Sequence, residues 1–125
     1  MKILITGTIG DEGSQPKSGV LVSPNYPNDY LPRQQDGFLE ERIQVTKGKV
    51  IKLHFSNFAT EVQIDVLTIM DIFGDNISVL GSFSGSAIPD DIVSQSNVVD
   101  ISFQPDTSVQ KSGWRLEWTE VDPPA

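Results

Sequence analysis

The sequence predicts an all-β fold, an antiparallel β-sandwich of jelly-roll or Greek-key type, and three observations carry that expectation. Apolar residues recur with period two rather than 3.6, the spacing of strands that set one face on a core and one in water. Clusters of glycine, proline, asparagine and aspartate separate these stripes at roughly 8–12-residue intervals, the rhythm of a sandwich. No window combines helix caps with an apolar helical stripe.

In chain order, ILIT at 3–6 reads as a first strand rather than a signal peptide, followed by an exposed loop, DEGSQPKSG, at 11–19. Gly19–Val22 is the next strand. SPNYPNDY at 23–30 follows, where two prolines fix φ, remove donors and push the preceding residues to extended conformations. It is a built turn or irregular edge, and its two tyrosines must pack, bind or orient something. Glu41–Val45 is a strand, closed by a TKGK turn at 46–49. In KVIKLHF, Ile51, Leu53 and Phe55 face one way and Lys52 and His54 the other. Val66–Met70 and Ser78–Phe83 flank a hairpin turn, FGDN, at 73–76. After SGS at 84–86 and IPDD at 88–91, Val99, Ile101 and Phe103 alternate with Asp100 and Ser102. Finally Trp114, Leu116 and Trp118 alternate with Arg115, Glu117 and Thr119, which assigns Trp114 to the core rather than to an exposed sugar platform.

At 125 residues the chain forms one domain, 1–121, with 122–125 a linker stub, and a domain of this size buries roughly two-thirds of its unfolded surface. No apolar run approaches the roughly 20 residues of a membrane span. The net charge of −8 argues against nucleic acid and favours cations, either metal ions or basic patches on partner proteins. With no cysteine, disulfides, thiolate metal sites and a cysteine nucleophile are excluded, while the compartment stays open. The chain is either made without a signal or cut from a longer protein.

No catalytic constellation assembles. The single histidine, His54, stands on the polar face of a strand flanked by lysine and serine and reads as solvated. Asp90 with Asp91 and Glu40 with Glu41 are sequence neighbours whose side chains point apart, so they read as solubilising surface. Acidic residues at strand ends are more informative. Glu61 and Asp65 bracket ATEVQID, and Asp106 lies in QPDTS. Carboxylate oxygens on such loops suit a hard cation such as Ca²⁺, and turn capping is their alternative role. Asn76-Ile77-Ser78 is an N-glycosylation sequon, placed where a plain hairpin turn also accounts for the asparagine.

From Ser18 onward, five ordered blocks resemble the CUB domain, an extracellular β-sandwich module: SGVLVSPNYPNDY, VIKLHFSNFATE, IDVLTIMD, LGSFSGSAIP and NVVDISFQPDTSVQKSGWRLEW. The resemblance implies a Ca²⁺ site made by Glu61, Asp65, Asp106 and the carbonyl of Ser108, with Tyr30 bracing the acidic cluster and Tyr26 packing. It also implies that these carboxylates receive a lysine or arginine from a partner protein. Two departures stand out. Gly37, Val62 and Ser84 occupy positions where the family carries cysteine. Only Val62, Gln63 and Ile64 separate Glu61 from Asp65, fewer than the family places there. The expected function is a non-catalytic, Ca²⁺-assisted protein-binding module within a larger extracellular protein. A carbohydrate-binding sandwich and a structural assembly unit are the alternatives.

Overall fold

A computed structural model of the chain describes residues 17–32, 37–106 and 110–124. The expected strand at 3–6 and most of the loop at 11–19 lie outside them. Among these residues eight strands are present: β1 Ser18–Val22, β2 Leu39–Gln44, β3 Val50–Ala59, β4 Val66–Phe73, β5 Asn76–Phe83, β6 Ile92–Val93, β7 Val98–Gln104 and β8 Gly113–Val121. They form two four-stranded sheets, ordered β1-β8-β3-β6 and β2-β7-β4-β5, with every pairing antiparallel. Among the described residues, β4–β5 is the only pair joined as a hairpin, and each other connection crosses to the opposite sheet. This is the expected sandwich.

The three clearest alternations, KVIKLHF, NVVDISF and GWRLEWT, became β3, β7 and β8. β3 runs past Phe55 because a register shift between Phe55 and Asn57 returns Phe58 to the core side. β4 and β5 extend further than the sequence suggested, meeting at Phe73 and Asn76 across a two-residue turn. β6, only two residues long, has no sequence signature.

Ile51, Leu53, Phe55, Trp114 and Leu116 from one sheet meet Ile43, Leu67, Ile69, Val99, Ile101 and Phe103 from the other, none more than 2 % exposed. At roughly 1.5–3 kcal/mol for each fully buried large apolar side chain, this layer is the main stabilising term. Its aromatic rings meet edge-on, Phe103 with Trp114 at 5.8 Å and Phe55 with Phe58 at 5.8 Å between centroids.

Where the family carries cysteine, other contacts are found. The N–H of Gln63, beside Val62, donates to Ser84 Oγ at 2.8 Å. Next to them Thr60 N–H donates to the Gly85 carbonyl at 2.9 Å, and Gly85 N–H to Thr60 Oγ1 at 3.1 Å. Three hydrogen bonds thus stitch the segments. At Gly37 no side chain fits, since a Cβ would lie 1.8 Å from the Leu31 carbonyl oxygen.

A buried carboxylate holds the pole where β4 ends and β7 begins. Asp71 is 1 % exposed and faces inward from β4. Its oxygens accept from Gln95 N–H at 2.7 Å and Ser96 N–H at 3.1 Å, and the Ser96 hydroxyl lies 2.6 Å away. Ser94 extends the knot, accepting from Ile51 N–H through Oγ at 2.8 Å.

Candidate metal centre

The opposite pole gathers the ends of β1, β3 and β7 and the starts of β4 and β8. SPNYPNDY is shaped there by backbone bonds: Tyr26 N–H to the Ser23 carbonyl at 3.1 Å, and Asn28 N–H to the Asn25 carbonyl at 2.9 Å. Asn25 adopts φ 72° and its side-chain amide donates to the Asp29 carbonyl at 2.8 Å, local bonding that offsets the unfavourable φ. The Tyr26–Pro27 peptide is cis. The loop is fastened to β8 at Ser23, which is fully buried and accepts from Trp114 N–H through Oγ at 3.0 Å. Gly113 must be glycine at this crossing, because its φ is +89° and a Cβ would fall 1.9 Å from Ser23 Oγ.

The two tyrosines then separate. Tyr26 is half-buried and donates its hydroxyl to Asn57 Oδ1 at 2.8 Å, tying the loop to the irregular part of β3. Tyr30 is 1 % exposed, its ring edge-on to Phe103 at 4.9 Å and its N–H donating to the Lys111 carbonyl at 3.0 Å. Its hydroxyl donates to Asp65 Oδ2 and accepts from Glu61 N–H at 3.2 Å.

Glu61 reaches the cluster despite the short spacing. Ile64 and Asp65 N–H both donate to the Glu61 carbonyl, at 3.2 and 3.0 Å, and Gln63 takes φ 63° to close the turn. Asp65, fully buried, accepts the Asp106 N–H through Oδ1 at 2.8 Å and so couples β4 to the end of β7. Glu61, Asp65 and Asp106 each bring a carboxylate oxygen within 4.8 Å of the others. Ser108 lies outside the described residues.

Burial, and then the nearby Asp106 and Asp65 carboxylates, hold the Glu61 carboxyl above the usual glutamate range, with Lys111 acting against them. Burial and the bond to Asp65 likewise raise the Tyr30 hydroxyl. Glu61 Oε1 is shielded from solvent and receives no hydrogen bond among the described residues. Three carboxylates with an unsatisfied inward oxygen suit a hard cation, which would turn mutual repulsion into attraction.

Lys111, which sequence reasoning passed over, lines a hollow of about 360 Å³ with Ala59, Thr60, Glu61, Val62, Gly85 and Ser86. No local pattern marks it, because it meets Glu61 only through the fold. The remaining candidates lie elsewhere. Asn76 is exposed at the first position of β5, toward the Asp71 pole. His54 is exposed and sits 2.7 Å from Asp91 Oδ1, with Lys52 3.6 Å from the same carboxylate. Trp114 is fully buried, as its alternation predicted.

A pH test follows from Glu61. Because its folded-state pKa is raised, the folded chain holds the proton more tightly than the unfolded chain. Stability is greatest below the unfolded pKa and falls as pH rises through the folded one. With chelator present, Glu61→Gln is expected to melt above wild type at neutral pH, the difference closing near pH 4 (about the ordinary glutamate pKa).

The family model "CUB domain" matches residues 10–118. Human cubilin is 36% identical over 105 residues, 80% of this chain and 3% of that protein. The full extracellular region of zebrafish Gpr126/Adgrg6 superposes with a TM-score of 0.72 at 28% identity, over 86% of this chain and 14% of that one. The MASP-1 CUB2 domain bound to Ca²⁺ superposes with a TM-score of 0.70 at 28% identity, over 83% of this chain and 93% of that one. The chain therefore spans a small part of cubilin and of the zebrafish protein, and about one whole domain of the third. With the sandwich topology and five ordered sequence blocks in agreement, the chain belongs to the CUB domain family.

Proposed function

We propose that the chain is a Ca²⁺-assisted, non-catalytic module that binds a basic side chain of a partner protein in an extracellular setting. The observation that carries this reading is the convergence of Glu61, Asp65 and Asp106 within 4.8 Å, braced by Tyr30. The family is one of protein-interaction modules, and a related domain crystallised with Ca²⁺ supports the choice of ion. The three carboxylates would hold the ion, and the resemblance adds the Ser108 carbonyl. Bound Ca²⁺ supplies the charge that keeps three anionic groups together. Tyr30 orients Asp65, and the Glu61–Asp65 turn fixes the approach of Glu61. Negative charge left at the half-buried Glu61 and Asp106 would receive a lysine or arginine.

The test is thermal melting with Ca²⁺ and with chelator. A ligand that binds only the folded state stabilises by about 2.7 kcal/mol at a hundredfold excess over Kd. A rise in Tm with Ca²⁺ supports the reading, and an unchanged Tm at millimolar Ca²⁺ overturns it. Tyr30→Phe removes the hydroxyl on Asp65 and is expected to weaken Ca²⁺ binding by roughly tenfold (about 1.4 kcal/mol), whereas Tyr26→Phe leaves it unchanged. Titration calorimetry of both variants separates a bracing tyrosine from a packing one.

A further inference from the structure

Among the described residues the sheets have four edge strands, and one differs from the rest. β6 is two residues long and β1 five, while β2 carries Glu40, Glu41 and Arg42. Such shortness and charge keep an edge from pairing with other chains. β5, NISVLGSF, is eight residues long with no charge and no proline. On its outer face Ile77 is 64% exposed and Val79 61% exposed, and these residues pair with Ile72 and Met70 of β4. The register shift opposite Ile69 and Met70 places Leu80 as the extra residue of a bulge, so the regular open stretch is Asn76–Val79.

We propose that this edge pairs antiparallel with β5 of a second copy of the chain. The sequence is self-complementary in that arrangement. A two-fold axis at Ser78 sets Ile77 opposite Val79 of the second copy and Val79 opposite its Ile77. Both apolar pairs then fall on the face where Met70 and Ile72 lie, and the two four-stranded sheets join into one. Cross-strand β-branched pairs and backbone hydrogen bonds drive the contact. Each chain carries a net charge of −8, which opposes association, and none of that charge lies on β5. The pairing is therefore weak at low salt and strengthens as salt screens the repulsion. An association held by opposite charges would do the reverse.

The test is sedimentation equilibrium of the unglycosylated chain over three decades of concentration, with amide NMR shifts recorded across the same range. The expected result is a monomer–dimer equilibrium that tightens with salt, with concentration-dependent shifts centred on Asn76–Leu80. Val79→Lys alters an exposed position, so the fold is retained, and it removes both apolar pairs and charges the edge. It is expected to weaken the dimer by about tenfold or more. Asp65→Asn is expected to leave it unchanged, which keeps this contact separate from the metal centre. A chain that stays monomeric throughout, a dimer that loosens with salt, or a Val79→Lys variant that associates like wild type each overturns the proposal.

Discussion

Asp65→Ala is expected to lower the Tm in chelator by on the order of 10 °C, from about 3 kcal/mol of lost stability, and to abolish any response to Ca²⁺. The carboxylate is fully buried and both its oxygens are engaged, Oδ2 by the Tyr30 hydroxyl and Oδ1 by Asp106 N–H. Alanine strands both donors at the point where β4, β7 and the tyrosine loop meet. Part of the loss is offset, because removing one anion relieves Glu61 and Asp106. Asp65→Asn keeps the shape and one acceptor but not the charge. Its chelated Tm is expected to fall less, with the Ca²⁺ response equally lost. Melting curves of both variants, with Ca²⁺ and with chelator, separate the structural role of Asp65 from its proposed metal role.

Asp71→Ala is expected to cost about 3 kcal/mol or more while leaving the Ca²⁺ increment in Tm unchanged. Gln95 N–H, Ser96 N–H and the Ser96 hydroxyl all point at this one carboxylate. A carboxylate is acceptor-only, so it alone suits a shell made of donors. Asp71→Asn is thus expected to rescue little, since its NH₂ group would meet a donor. Urea unfolding is the measurement, read as a lower midpoint at unchanged slope. The metal centre is spared because it lies at the other end of β4 and β7.

These two aspartates show what was legible in the sequence. β3, β7 and β8 were plain, because each puts one face on the core and alternation records it. Asp65 and Asp106 could be marked from their places at strand ends. Asp71 could not, since its partners lie some two dozen residues onward in a loop with no signature. Glu61 could be marked in the same way, but its reach toward Asp65 and Asp106 could not. Its approach depends on Gln63 adopting a positive φ, which that residue type does not announce. β5 was drawn too short because its exposed start lacks alternation, which requires one buried face. β6 lies on β3 beside reciprocal bonds between Ser94 and Ile51, partners that no local pattern pairs.

The pairing of β1 with β8 has a consequence for any longer polypeptide. Ser18 lies opposite Thr119, and Glu120 N–H donates to the Lys17 carbonyl at 2.7 Å. The backbone arrives and departs side by side at the Asp71 pole. Joined to neighbours at those points, the domain would hang from a single tether like a bead on a side branch. The acidic cluster would lie at the opposite end of the sandwich, away from the points where neighbouring modules join.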